Sequence, residues 1–114
     1  MLKIYFKSTC STCKNALALI KENTDEDYEL VEYMVETPSQ KEIKEILKML
    51  GLKAIDLVRK KESLYKTKYD GKKLTNAEWI KILANNPILI ERPIVVKDGK
   101  AIIGRPIERV LEII

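Results

Sequence analysis

Residues 2–20, Leu-Lys-Ile-Tyr-Phe-Lys-Ser-Thr-Cys-Ser-Thr-Cys-Lys-Asn-Ala-Leu-Ala-Leu-Ile, change periodicity once, and the chain's two cysteines stand at that change. Leu2 to Phe6 is a short apolar run of the kind that forms a buried strand. Cys13, Ala16, Leu17 and Ile20 recur at i, i+3, i+4 and i+7, one face of an amphipathic helix. Cys10 therefore falls at the turn from strand into helix. The backbone N–H groups at a helix start favour an anion. A thiolate is an anion, so Cys10 is expected to ionise more readily than a free cysteine. Cys13 follows one turn later, where it could resolve a mixed disulfide formed on Cys10 or simply pack.

Working outward, Glu22 to Asp27 is an acidic turn, and Tyr28 to Tyr33 alternates enough to be a second strand. The opening is thus β-α-β, with a right-handed crossover if the two strands are parallel. Thr37-Pro38-Ser39-Gln40 reads as a helix start, with Thr37 as cap, Pro38 at the first helical position and Gln40 completing a capping box. Ile43, Ile46, Leu47 and Leu50 form its apolar face, and Gly51 ends it. Residues 52–73 are irregular and lysine-rich, with short helical turns. Thr75-Asn76-Ala77-Glu78 is a second capping box, followed by Trp79, Ile80, Ile82 and Leu83 and stopped at Asn85-Asn86-Pro87. Ile94–Val96 and Ala101–Ile103 are β-branched runs joined through Asp98-Gly99, a hairpin signal. Pro106 then opens a last helix, with Ile107, Val110, Leu111 and Ile114 on one face. Trp79, the tyrosines, Met34 and Met49 read as packing residues. The order β-α-β, helical middle, β-β-α predicts an α/β fold. It is that of a thioredoxin-like mixed sheet in a single domain over 1–114, with a helical insertion at about 37–86.

The 114 residues fit one domain, and 46% hydrophobic with 33% charged is an ordinary globular balance. No apolar run approaches the roughly 20 residues of a membrane span, and no signal-peptide pattern precedes the first strand. The expected compartment is the cytoplasm and the expected state a monomer. In a reducing compartment, paired cysteines suggest redox or metal chemistry rather than a structural staple. Two thiols without a histidine fall short of the four ligands of a structural zinc site. The net charge of +4 comes mostly from dispersed lysines, with few aromatics among them, which reads as a solvated surface rather than a nucleic-acid patch. The absence of histidine also removes the commonest general base.

Only four residues are arginine, against 17 lysines. Where lysine serves elsewhere, an arginine suggests a need for its planar fork, which binds an oxyanion through two parallel hydrogen bonds. Arg92 and Arg105 flank the predicted hairpin, so they are expected at the same end of the sheet. Arg59 stands in a lysine-rich stretch, and Arg109 reads as a surface residue. Pro93 precedes a strand, where an X-Pro bond can be cis. Lys14, after the second cysteine, could help hold Cys10 ionised or could be solvated.

These residues resemble a known family. Lys3-Ile4-Tyr5 leading to Cys10, then Arg59-Lys60, then Asn86-Pro87-Ile88-Leu89-Ile90-Glu91-Arg92-Pro93-Ile94-Val95-Val96, then Gly104-Arg105-Pro106 are similar to the glutaredoxin-coupled arsenate reductases, nearly end to end. The resemblance implies a thioredoxin-like core with a helical insertion. By position it implies that Cys10 is the nucleophile, that Arg59, Arg92 and Arg105 bind the oxyanion, and that Pro93 is the cis-proline of such folds. It implies thiolate attack on arsenate, reduction of the adduct by glutathione as co-substrate, and regeneration by glutaredoxin, or thioredoxin in its place. No metal or tightly bound cofactor is implied. The Spx-type stress regulators of the same family carry a CxxC like Cys10–Cys13. One alternative is therefore a redox-sensing regulator that binds RNA polymerase, and another is a generic CxxC disulfide reductase.

Overall fold

In the computed structural model, which describes residues 1–114, Leu2–Phe6 forms β1, Tyr28–Glu32 β2, Ile94–Lys97 β3 and Lys100–Ile103 β4. They make one four-stranded sheet in the order β2-β1-β3-β4. β1 pairs parallel to β2, with Phe6 opposite Glu32, and antiparallel to β3, with Tyr5 opposite Ile94. The β3–β4 hairpin pairs Ile94 with Ile103 and turns at Asp98-Gly99, both at positive φ. A positive φ at both central residues is what a tight hairpin turn of this hand requires.

The helix predicted from the 3.6-residue period is α1, Ser11–Asn23, and it buries Cys13, Ala16 and Ile20. Ala16 and Ile20 pack with Leu2, Ile4, Val95 and Val110 in one core. The segment after Pro106 differs from the expected α-helix: Ile107–Glu112 is a 3-10 helix. Its bonds run from Arg109 N–H to Pro106 O and from Ile113 N–H to Val110 O. A three-residue repeat lines up Ile107, Val110 and Ile113 against the core, while Leu111 is 44% exposed rather than on the packed face. Pro106 has no side-chain acceptor to cap a wider turn.

The chain divides into two units, the sheet unit of residues 1–36 and 92–114, and a helical unit of residues 37–91. In the helical unit, α2 spans Gln40–Leu50, α3 Ala54–Leu57 and α4 Asn76–Asn85. A π-helical turn covers Tyr65–Tyr69 and a 3-10 turn Pro87–Leu89. Ser39 caps α2 in place of Thr37, its Oγ accepting from Glu42 N–H at 3.1 Å. Starting there sets Glu42 in the first turn, where the helix dipole favours a carboxylate, and turns Ile43, Ile46 and Leu47 inward. Gly51 ends α2 at φ 70, a conformation that favours glycine. Trp79 is buried, 6.3 Å from the Tyr65 ring and 5.8 Å from the Tyr69 ring. Met34 is 37% exposed and is no core filler, because β2 ends at Glu32 and Met34 lies in the turn beyond it. No helix is long and apolar enough to cross a membrane.

Candidate active site

The sheet register brings four chain segments to one end. Cys10 lies four residues past the end of β1, and Tyr33 directly follows the last residue of β2. Ile94 pairs with Ile103, and Gly104 N–H donates to Pro93 O at 2.8 Å. The next residues out are Arg92 and Arg105. Arg105 Nε donates to Arg92 O at 2.6 Å, Nη1 lies 3.4 Å from Thr12 Oγ1, and Nη2 lies 3.6 Å from Cys10 Sγ. The planar guanidinium thus spans the helix start and the hairpin end at once.

Cys10 precedes α1 in extended conformation, and its carbonyl already accepts from Lys14 N–H at 3.2 Å. Partial burial pushes its pKa up. The Cys13 backbone N–H and thiol, the Arg92 side chain and the Arg105 charge outweigh burial and bring it down to about 7. Cys13 is opposite in character. It is 3% exposed, and burial, with the Cys10 sulfur beside it, pushes its pKa up to about 12 despite the Lys7 backbone N–H and the Arg105 charge. Two residues of one type thus become a thiolate and a neutral thiol.

Arg92 is only 4% exposed, and its Nη1 donates to the hydroxyl of Tyr33 at 3.4 Å. Tyr33 is itself fully buried. From the sequence it reads as a packing residue; its place just past β2, level with the end of β1, is the signal that points to the site. Glu32 was also missed. Its carboxylate accepts from Ser8 N–H and from Met34 N–H, tying the loop before Cys10 to the end of β2. Burial alone would raise the Glu32 pKa, but these donors and the Lys7 charge lower it.

The Arg92–Pro93 and Arg105–Pro106 bonds are both cis. Gly104 is required by close approach: a Cβ there would lie 3.0 Å from Pro93 Cγ and 3.1 Å from Val110 Cγ1. Lys14 is exposed on α1, and Arg109 pairs with Glu112 at the surface. Arg59 lies in the helical unit, where its Nε donates to Glu62 Oε1 at 2.9 Å and its backbone N–H to Leu89 O at 2.6 Å. The sheet unit therefore assembles Cys10, Cys13, Thr12, Tyr33, Arg92 and Arg105. A thiolate between a helix start and two guanidinium groups can attack an electrophile bound as an oxyanion.

The ArsC family matches residues 5–113. The uncharacterized protein YfgD of Escherichia coli strain K12 is 45% identical over 116 residues, covering 99% of this chain and 96% of that protein. An arsenate reductase of Neisseria meningitidis is 38% identical over 111 residues, covering 96% and 94%. The solved structure of an arsenate reductase from Vibrio cholerae superposes with a TM-score of 0.92 at 39% identity, covering 99% of this chain and 97% of that one. A thioredoxin-like sheet ending in this cysteine–arginine cluster, together with these end-to-end likenesses, establishes that the chain belongs to the ArsC family.

Proposed function

We propose that this chain is an arsenate reductase-like thiol oxidoreductase in which Cys10 is the nucleophile. The observation that carries the reading is the Arg105 guanidinium bound to the Arg92 carbonyl with Nη2 3.6 Å from the Cys10 sulfur. A thiolate and an arsenate dianion repel each other, so fixed positive charge must bring them together. Arg105 and Arg92 supply that charge beside the sulfur, and the start of α1 adds its unpaired N–H groups. For Arg59, an oxyanion-binding role is proposed on the family resemblance alone.

In this scheme the Cys10 thiolate attacks arsenic and one oxygen leaves as water, forming a sulfur–arsenic(V) adduct. The glutathione sulfur, as co-substrate, attacks the Cys10 sulfur of the adduct; the sulfur–arsenic bond breaks with its electron pair on arsenic, and arsenite leaves with the thiol proton. Glutaredoxin then reduces the Cys10–glutathione disulfide and returns Cys10 to the thiol. No histidine is needed, because a thiol with a pKa of about 7 is already substantially ionised at neutral pH. The enzyme works as a monomer on the thiol pools of the cytoplasm.

The test is an arsenate reduction assay with glutathione and glutaredoxin, and separately with thioredoxin. The expected result is turnover by the wild type and none by Cys10→Ser, with Arg105→Ala and Arg59→Ala raising KM for arsenate. No arsenite with either reductant system would remove arsenate as the substrate.

A further inference from the structure

Cys13 has no role in the scheme above, yet it is placed where only a few side chains could affect the chemistry. It sits on the first turn of α1, three residues after Cys10, almost wholly shielded from solvent and directed at the Cys10 sulfur. Resting on the arsenate reductase reading, we propose that Cys13 is the resolving thiol, which releases arsenite by forming a Cys10–Cys13 disulfide inside the protein.

The geometry is suited to it. Cys10 is the N-cap and Cys13 the third residue of α1, so the two thiols meet across the first turn, and a disulfide needs their Cβ atoms about 4 Å apart. Cys10 precedes the helix in extended conformation, with its N–H on Lys7 O and its carbonyl on Lys14 N–H, so closure falls to the two side chains rather than to the backbone. Burial keeps Cys13 away from bulk oxidants and large thiols while leaving it in reach of the one sulfur that is modified during turnover. The inequality of the two thiols sets the order of events. Cys10, the ionised and half-exposed one, attacks first, and Cys13 stays protonated until Cys10 carries the adduct. Attachment of arsenic removes the negative charge from Cys10, which is one of the influences that hold the Cys13 proton in place.

The step balances as follows. The Cys13 sulfur attacks the Cys10 sulfur of the adduct, the S–S bond forms and the sulfur–arsenic bond breaks. Its electron pair stays on arsenic, which passes from arsenic(V) to arsenic(III). The Cys13 proton goes to an oxygen of the departing arsenite. The two cysteines together lose two electrons, and arsenic gains two. A dithiol protein then reduces the disulfide by thiol–disulfide exchange, so a small monothiol is not required for the arsenic chemistry itself.

The experiment is a single turnover without added thiol. Fully reduced, desalted protein is mixed with arsenate; arsenite, free thiols and intact mass are then measured, and the linkage is mapped by peptide digestion. The expected result is one arsenite per chain, loss of both thiols, a mass lower by two hydrogens and a Cys10–Cys13 peptide. Cys13→Ser is expected to release no arsenite under these conditions. Thiol-free arsenite release by Cys13→Ser at the wild-type level would overturn the proposal. So would wild-type protein that keeps both thiols and releases no arsenite while turning over with glutathione and glutaredoxin; that outcome leaves the arsenate reductase reading intact. Absence of arsenite with every reductant overturns both.

Discussion

Cys10 and Cys13 differ by three positions and by about five pH units in their readiness to ionise, near 7 against near 12. The consequence is selective reactivity. At pH 7 a thiol with a pKa of about 7 is half ionised, whereas one at 9.0 is about 1% ionised, so Cys10 should react roughly 50-fold faster than an ordinary thiol of equal nucleophilicity. Because the ionised form is favoured in the fold, reactivity rises as pH rises through about 7. Iodoacetamide labelling followed by mass spectrometry should show that midpoint for Cys10 and negligible labelling of Cys13. Arg105→Ala should move the midpoint upward, by up to about 1 unit, because it removes an opposite charge. Tyr33→Phe removes an acceptor from the buried Arg92. It should cost about 1 kcal/mol in urea unfolding and raise KM for arsenate, while leaving the Cys10 side chain in place. Gly104→Ala should cost about 1–3 kcal/mol, because the new methyl meets a proline ring and the buried Val110, neither of which can swing aside.

At the scale of elements, the capping signals are the best-resolved part of the chain. The Thr75 hydroxyl accepts from Glu78 N–H at 3.1 Å, and the Glu78 carboxylate accepts from Thr75 N–H at 3.0 Å. Thr75→Ala should destabilise the protein by about 1 kcal/mol in urea unfolding. The same change should raise the Glu78 pKa only in part in an NMR titration, since the Thr75 backbone N–H, first among the groups that lower it, is kept and only the hydroxyl is lost. The local pattern was legible here because a capping box is complete within four residues. It misled at Thr37, because a second capping residue type, Ser39, stands on the other side of Pro38 and is the cap instead. The packing of Ile43 and Ile46 decided in favour of Ser39. The last element was misread for a related reason. Apolar residues at 107, 110, 111 and 114 satisfy an α period, but Ile113 joins Ile107, Val110 and Ile114 against the core while Leu111 is left exposed.

For the whole molecule, charge is the property that matters to an anionic substrate. The net charge is +4, and residues 53–73 carry seven lysines and Arg59 against Asp56, Glu62 and Asp70. Such a field raises encounter with a dianion at low ionic strength and fades as the Debye length falls from about 10 Å at 0.1 M salt to about 3 Å at 1 M. The value of kcat/KM for arsenate should therefore fall as sodium chloride is raised over that range. Labelling of Cys10 by a neutral alkylating agent should change much less, which separates screening of the substrate from disturbance of the sulfur.

The sequence by itself determined the strands, the three longer helices, the hairpin, and the place of Cys10 at the start of α1, because each depends on periodicity or a turn signal within a few neighbouring residues. It also pointed to Arg92 and Arg105 at one end of the sheet, since a tight hairpin leaves little freedom in where its two ends lie. Only the tertiary structure decided what those residues do to one another. Arg105 reaches Cys10 across 95 positions and Arg92 reaches Tyr33 across 59. Tyr33, Glu32 and Gly104 owe their roles to strand register and to the space left by distant side chains. The separation of the two cysteines into thiolate and buried thiol rests on burial and on those distant charges, none of which is written in the four residues of the motif.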